Sequence, residues 1–298
     1  MSETVRPGRD TSLRSPVTIQ ALRLLFRAGS SVAPSLTARL AAVLFRLPPR
    51  HRTSELESRA LRQGRPAFLD TKSGRLATWR WGEGPAVLLV HGWGSRGARL
   101  ASFVEPIVAA GCSAITFDAP AHGDSAGRLS SLPQFMEATS AVAAAAGPVR
   151  AIVAHSLGGA AAALAIARGL PVQRVVLLAP AAHPGNYSRL FSERLAISAA
   201  VRRIMEGRFE QKFGVRWEEF DVPPRVSSLT VPLLVFHDRE DTDVGWSEGD
   251  AIARAWPGGR LVTTQGLGHR RIVHDPEVVA QAISFLLEDG QRRRGVAP

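Results

Sequence analysis

The stretch Ala154-His155-Ser156-Leu157-Gly158-Gly159 decides the interpretation of this chain, because it places a serine between a strand and a helix. The apolar residues 149–153 predict a buried strand, and the alanine-rich residues 160–168 predict a helix. In a G-x-S-x-G turn only small residues fit two positions before and after the serine, and its hydroxyl is left exposed. Those positions hold Ala154 and Gly158. The spacing predicts that Ser156 is a nucleophile, and a helix N-cap serine is the plainer alternative.

A histidine base and a carboxylate that orients it are the further requirements of such a nucleophile. An acidic loop follows the predicted strand 231–237, and His269 follows the predicted strand 259–264. The chain order of serine, acid and histidine matches one of the three known orders for this triad. Within the loop, any of four carboxylates could face the histidine: Asp238, Glu240, Asp241 and Asp243.

Backbone N–H groups that face the developing oxyanion are also needed for catalysis at a carbonyl. Leu157, which directly follows the nucleophile, supplies one of them. The other is expected from the loop after the predicted strand 86–90, which contains His91-Gly92-Trp93-Gly94.

This loop and the segment Asp118-Ala119-Pro120-Ala121-His122-Gly123-Asp124-Ser125 resemble the HG-x-G and D-x-P-G-H-G-x-S motifs of the α/β-hydrolase superfamily. Alanine replaces a glycine in the second motif, as it does at Ala154. The resemblance covers residues 79–288 and implies an α/β fold of the α/β-hydrolase type, with a mostly parallel sheet and helices on both faces. It also implies a carboxylesterase-like serine hydrolase and makes Trp93 the second oxyanion donor.

The resemblance selects among the four carboxylates as well. The family's pattern places the acid four residues after the histidine that ends the strand, which is Asp241, and Asp238 is the main alternative. The predicted site therefore consists of a catalytic triad and two backbone donors, with no cofactor and no metal: Ser156, Asp241, His269, Trp93 and Leu157. The expected partner is a small acyl or ester substrate.

The sequence allows two other functions. Residues 90–97 also satisfy the glycine pattern of an NAD(P)-binding Rossmann oxidoreductase, with Gly92, Gly94 and Gly97 as the glycines and Asp118 as the ribose-binding acid. That hypothesis leaves the serine, the acidic loop and the histidine unexplained. A non-catalytic hydrolase-like binding protein is the third possibility, and the full triad disfavours it.

The chain has 298 residues, of which 45% are hydrophobic, enough for a large core. The predicted organisation is an N-terminal basic helical extension, residues 1–65, and a catalytic domain, residues 66–298, with a helical lid at about 179–230. Seven strands are predicted, at residues 76–81, 86–90, 113–117, 149–153, 174–178, 231–237 and 259–264. Their alternation with helical segments favours a mostly parallel sheet.

The formal net charge of +11 comes almost entirely from arginines spread along the chain. We therefore expect no nucleic-acid binding, which would require a basic patch with interleaved aromatic residues. A single cysteine, Cys112, excludes an internal disulfide, and no stretch approaches the ~20 apolar residues of a membrane span. These features, and the lack of a signal-peptide pattern, predict a cytoplasmic location.

Two amphipathic helices are predicted in the N-terminal extension, at residues 16–28 and 35–47. Ile19, Leu22 and Phe26 share one face of the first helix. Leu36 and Leu40, with Val43 or Leu44, share one face of the second, and arginines occupy the other faces. We expect these apolar faces to pack on the domain or on a second subunit, which makes an oligomer possible. A peripheral membrane hairpin is the alternative.

Overall fold

The computed structural model describes residues 16–50 and 52–288. Its strands are β1 Arg65–Thr71, β2 Gly74–Trp81, β3 Ala86–Val90, β4 Ser113–Phe117, β5 Val149–His155, β6 Arg174–Leu178, β7 Leu233–Asp238 and β8 Arg260–Thr264. Its α-helices are α1 Pro16–Val32, α2 Pro34–Phe45, α3 Glu55–Gln63, α4 Val104–Ala109, α5 Leu132–Ala146, α6 Leu157–Ala167, α7 Asn186–Arg194, α8 Ala199–Phe213, α9 Val222–Val226, α10 Trp246–Ala255, α11 Gly268–Arg271 and α12 Pro276–Leu287. Two short 3₁₀ helices lie at Gly97–Phe103 and Trp217–Phe220.

The eight strands form one sheet in the order β1-β2-β4-β3-β5-β6-β7-β8. The pairs β1·β2 and β2·β4 are antiparallel, and every pair from β4·β3 to β7·β8 is parallel. Strands β3 and β4 are buried at every residue, as expected for continuous apolar runs covered on both faces of a sheet. The loops that follow β3, β5, β7 and β8 therefore leave the same edge of the sheet. The predicted, mostly parallel α/β fold is confirmed.

Strand β1 and helix α3 are absent from the sequence-based prediction. Strand β1 is an edge strand whose residues are exposed or half-buried, so its sequence carries little apolar alternation. Helix α3 begins with a capping box, in which Ser54 accepts from the Glu57 N–H and Glu57 accepts from the Ser54 N–H. That S-x-x-E pattern is visible in the sequence and would have located the helix.

Two compact units divide the chain. The first, here called the helical unit, consists in its described part of residues 16–45 and Gly185–Trp217. The second, the sheet unit, contains Arg46–Pro184 and the residues from Glu218 onward. The helical unit therefore joins α1 and α2 to α7 and α8, which come from the segment predicted as a lid. The extension at residues 1–65 and the lid at about 179–230 stay predictions.

The helical unit has its own apolar core. Phe26, Ala38 and Ala41 from the N-terminal helices are buried together with Leu195, Ile197, Val201 and Met205. Leu22 and Leu44 pack against this cluster. On α1, the predicted apolar face is therefore the buried one. On α2 it is not, because the buried positions are Thr37, Ala38 and Ala41, whereas Leu36, Leu40 and Val43 are exposed.

In the sheet unit, the core is formed by the central strands with α12 and the 3₁₀ segment after β3. Cys112 is buried directly before β4, where its small apolar side chain packs in this core. Within the described residues, no helix combines the length and the apolar character needed to cross a membrane.

Candidate active site

Ser156 occupies a sharp turn between β5, which ends at His155, and α6, which begins at Leu157. Its backbone angles are φ 57° and ψ −125°, and only four described residues other than glycine have a positive φ. A side chain in this region is strained by its own backbone. The turn therefore holds the serine in a conformation that the surrounding structure must stabilise.

The glycines around the turn are required by close packing on the loop after β3. A Cβ atom at Gly158 would collide with the backbone carbonyl oxygen of His91. A Cβ atom at Gly92 would lie 2.8 Å from the Cβ of Ser156. Ala154, which replaces the first glycine of the pattern, is fully buried in β5. The backbone of the Ser156 turn thus packs directly against the backbone of the predicted oxyanion loop.

Ser156, His269 and Asp241 lie in hydrogen-bonding contact. The Oγ of Ser156 is 3.0 Å from the Nε2 of His269, and the Nδ1 of His269 is 2.7 Å from the Oδ2 of Asp241. A carboxylate only accepts hydrogen bonds, so Nδ1 carries the proton and Nε2 accepts from the serine hydroxyl. The arrangement has the connectivity of a nucleophile, a base and an orienting acid.

Asp241 is held as a carboxylate by its surroundings. Its side chain is fully buried, and burial alone would raise its pKa. The nearby Nε2–H of His237 and the hydrogen bonds from His269 and from the Val244 N–H outweigh this effect and hold the pKa well below its usual range. The Nε2 of His237 lies 3.4 Å from Oδ2 and donates to the Val244 carbonyl at 2.9 Å. His237 was singled out in the sequence only through its place at the end of a strand.

Asp238, the alternative acid, points to other partners. Its Oδ2 accepts from the Thr264 hydroxyl at 2.7 Å and from the Leu267 N–H at 3.0 Å. Its Oδ1 accepts from the Glu240 N–H at 2.9 Å. Asp238 therefore joins the acidic loop to the segment that carries His269, and both side-chain oxygens are occupied.

The loop with Trp93 is fixed by two neutral histidines. His122 Nε2 accepts from the Gly94 N–H at 3.0 Å while its Nδ1–H donates to the Pro120 carbonyl at 2.9 Å. Burial lowers the pKa of His122 to about 4, which keeps Nε2 available as an acceptor at neutral pH. His91 donates from Nδ1 to the Gly92 carbonyl at 2.7 Å and accepts from the Ala119 N–H at 2.9 Å. The backbone on both sides of Trp93 is thereby held in place.

The two predicted oxyanion donors lie on the elements that meet at the serine. Leu157 is the first residue of α6, so its N–H is one of the terminal amides that have no acceptor within the helix. Trp93 lies between Gly92, which contacts the serine turn, and the fixed N–H of Gly94. Its indole ring packs edge-on against the ring of His122.

Asp118, the ribose-binding acid of the Rossmann alternative, has a structural role. It is fully buried, and its Oδ1 accepts from the Gly97 N–H at 2.7 Å. Its Oδ2 accepts from Arg96 at 3.0 Å and from the Asp124 N–H at 2.8 Å. Arg96 also pairs with Asp124 at 2.7 Å. With both oxygens occupied and no exposed surface, this carboxylate is not placed to bind a ribose, and the observed strand order differs from the Rossmann order.

One residue of the site was missed in the sequence. The sequence analysis assigns no role to His155, but its Nε2–H donates to the backbone carbonyl of His269 at 2.9 Å. Burial and the neighbouring His269 lower its pKa well below the usual range, and its Nδ1 has no partner. Its position directly before Ser156 was the available signal. Among the described residues, those of the candidate site included, no three His, Cys, Asp or Glu side chains are grouped to hold a metal ion.

The comparisons with known proteins agree with the observed fold. A model of the alpha/beta hydrolase family matches residues 87–282. No curated protein matches the sequence. Among solved structures, a putative lipase from Acinetobacter baumannii AYE is similar at 15% identity and a TM-score of 0.60, over 80% of this chain and 97% of that one.

Two further solved structures show the same likeness. An esterase from Pyrococcus furiosus has 18% identity and a TM-score of 0.61, over 80% of this chain and 98% of that one. A bromoperoxidase from Bacillus anthracis has 17% identity and a TM-score of 0.57, over 76% of this chain and 100% of that one. At these identities the likeness concerns the fold, and the three names differ in activity.

Proposed function

Because this chain belongs to the alpha/beta hydrolase family, we propose that it is a serine hydrolase that cleaves carboxylic esters through an acyl-enzyme on Ser156. The observation that carries the proposal is the continuous contact from Ser156 Oγ to His269 Nε2 and from His269 Nδ1 to Asp241. The lipase and esterase among the structural relatives favour an ester as the substrate class.

The first half of the reaction forms the acyl-enzyme. Ser156 Oγ adds to the ester carbonyl carbon while its proton passes to His269 Nε2. Asp241 stabilises the imidazolium, and its low pKa keeps it ionised throughout. The negative charge on the carbonyl oxygen faces the N–H groups of Trp93 and Leu157. The bond to the alcohol then breaks, and His269 returns its proton to the leaving oxygen.

In the second half, the acyl group is transferred to water. His269 takes a proton from a water molecule as that water adds to the acyl carbonyl carbon. The bond to Ser156 Oγ breaks, the serine regains the proton, and a carboxylic acid leaves. In both halves the proton moves through the Nε2 atom of His269, so the same hydrogen bond to Ser156 is used in acylation and in deacylation.

Two measurements test the proposal together. The purified chain is assayed on p-nitrophenyl esters of graded acyl length and labelled with a fluorophosphonate probe. We expect hydrolysis and labelling with the wild type, loss of labelling in Ser156→Ala, and a fall in turnover of several powers of ten. Ser247→Ala, which changes an exposed serine, is the matched control and keeps both signals.

Labelling of Ser156→Ala at the wild-type level would contradict the assignment of the nucleophile. Labelling at Ser156 without turnover of any oxygen ester would retain the nucleophile and contradict the ester as the substrate class. Thioesters, lactones and amides use the same residues, so the same panel extended to them then identifies the acyl compound.

A further inference from the structure

The helices α1 and α2 each have two apolar faces, and only one face of each is buried in the helical unit. The second faces carry Leu24, Leu25 and Val32 on α1 and Leu36, Leu40 and Val43 on α2. These six side chains, here called the outer apolar surface, are between 46% and 85% exposed. Leu24 and Leu25 lie eight and seven residues before Val32, and Leu36, Leu40 and Val43 are spaced by four and three residues, so the three positions of each helix lie on one side.

The concentration of these side chains is unusual for the molecule. Eleven large apolar side chains are exposed among the described residues, and the outer apolar surface contains six of them. Single exposed leucines are ordinary in soluble proteins. A set of aligned, exposed apolar residues on neighbouring helices instead marks a surface that contacts another phase or another protein.

The charged side chains on α1 and α2 themselves all have one sign. The sequence has no aspartate or glutamate between Asp10 and Glu55, and that interval contains seven arginines. Three of them, Arg23, Arg27 and Arg39, lie on α1 and α2 and are exposed. Arg23 donates to the backbone carbonyl of Arg194 within the helical unit. Apolar side chains with adjacent arginines match the layered chemistry of a lipid surface, in which phosphates lie above acyl chains.

We propose that the outer apolar surface docks on a membrane that contains anionic lipid. Its leucines and valines enter the boundary between headgroups and acyl chains, and Arg27 and Arg39 contact the lipid phosphates. A second copy of this chain fits less well, since a symmetric contact would bring the arginines of both copies together with no carboxylate on these helices to pair with them. The proposal does not depend on the proposed ester hydrolysis.

Vesicle flotation of the full chain tests the proposal. Vesicles of equal parts phosphatidylglycerol and phosphatidylcholine are compared with vesicles of phosphatidylcholine alone. We expect flotation with the anionic vesicles, weak flotation with the neutral ones, and a marked loss of binding as salt shortens the Debye length. Equal or absent flotation with both vesicle types would overturn the proposal.

Variants separate the two contributions to binding. The double variant Leu24→Glu with Leu36→Glu should lower the partition coefficient by more than tenfold, because it puts charge in place of apolar area that would enter the membrane. Arg27→Gln with Arg39→Gln should lower it roughly 25-fold on anionic vesicles only. Phe68→Glu, at an exposed apolar position on β1 in the sheet unit, is the matched control and should bind as the wild type does.

All these positions are exposed, so the variants should keep the wild-type melting temperature and any turnover of a short, water-soluble ester. If the leucine variant melts early, the arginine variant alone decides the result, because it leaves every apolar contact in place. Light scattering without vesicles tests whether a second copy of this chain covers the outer apolar surface instead. A stable dimer that Leu24→Glu dissociates, together with no flotation of the wild type, would overturn the membrane proposal in favour of a second copy.

Discussion

The imidazole rings of His155 and His269 lie with their centroids 4.7 Å apart and an interplanar angle of 43°. His155, the residue before Ser156, thus contacts both the ring and the backbone of the proposed base. Because His155 remains neutral, it places no second positive charge beside the imidazolium that forms during the reaction. We infer that it positions His269 and does not itself exchange protons with the substrate.

The variant His155→Phe tests this positioning role. Phenylalanine keeps the ring contact but cannot donate to the His269 carbonyl, so kcat should fall about tenfold with KM nearly unchanged. His155→Gln, which retains a donor, should recover part of the loss. The acid limb of the pH profile should stay in place in both variants. Wild-type kcat in His155→Phe would show that the hydrogen bond has no role in turnover.

Asp241 and Asp238 make opposite predictions although they share one loop. Asp241→Asn keeps an oxygen for the two loop N–H groups, but its amide favours the wrong tautomer of His269. A loss of ~10⁴-fold in kcat followed the same change in a serine protease. Asp238→Asn should mainly lower the melting temperature, because it weakens the contacts to Thr264 and Leu267. Assays of kcat and thermal melts of both variants check this expectation. A large loss of kcat in Asp238→Asn, with near wild-type kcat in Asp241→Asn, would instead identify Asp238 as the acid.

The strained backbone at Ser156 predicts a gain in stability when the side chain is removed. Ser156→Gly relieves the positive φ and should raise the free energy of unfolding by about 1 kcal/mol. Ser156→Ala keeps the strain, so it should be less stable than the glycine variant. Both should lose the proposed activity. Urea unfolding compares the three proteins, and a glycine variant less stable than the alanine variant would show that the turn is not strained in solution.

Acid should destabilise the protein through its buried histidines. The pKa of His122 is about 4 in the folded chain against 6.5 when unperturbed, and the pKa of His155 is lowered as well. As the pH falls, these histidines are therefore protonated in the unfolded state before they are in the folded state. The free energy of unfolding decreases between about pH 6.5 and pH 4. For His122 alone the loss is on the order of 3 kcal/mol.

Urea unfolding at several pH values between 7 and 4 measures this slope. His122→Gln removes one titrating group, and its stability should depend less steeply on pH in the same interval. An equal slope in wild type and variant would mean that His122 does not contribute.

Local sequence signals were sufficient to name two of the three side chains that lie in contact in the candidate site. The strand-turn-helix pattern around Ser156 and the glycines before His269 are short-range features, so both residues could be named without coordinates. The carboxylate that contacts His269 was harder to predict, because Asp238 and Asp241 follow the same strand. Their roles differ only in the direction of their carboxylates, which depends on contacts with Thr264 and Leu267 far along the chain. The hydrogen bond of His155 depends on a similarly distant partner.

The fold was predictable where strands are buried on both sides, as β3 and β4 are. Strand β1 has neither a buried face nor a clear alternation of apolar and polar residues, so its pairing with β2 could not be predicted from the sequence. On α2, three exposed apolar side chains, Leu36, Leu40 and Val43, formed the strongest helical pattern, while small residues form the buried face. Hydrophobic periodicity identifies the helix, but tertiary contacts decide which face is covered.

The helical unit is built from two stretches that are far apart in the chain, and this has a consequence for synthesis on the ribosome. Helices α1 and α2 leave the exit tunnel well before Leu195 to Met205, the residues that bury Phe26. At the usual ~5–20 residues per second, α1 and α2 wait on the order of ten seconds or more before the residues that cover Phe26 are made. During that interval a chaperone or a nearby bilayer encounters these helices before their own partners exist.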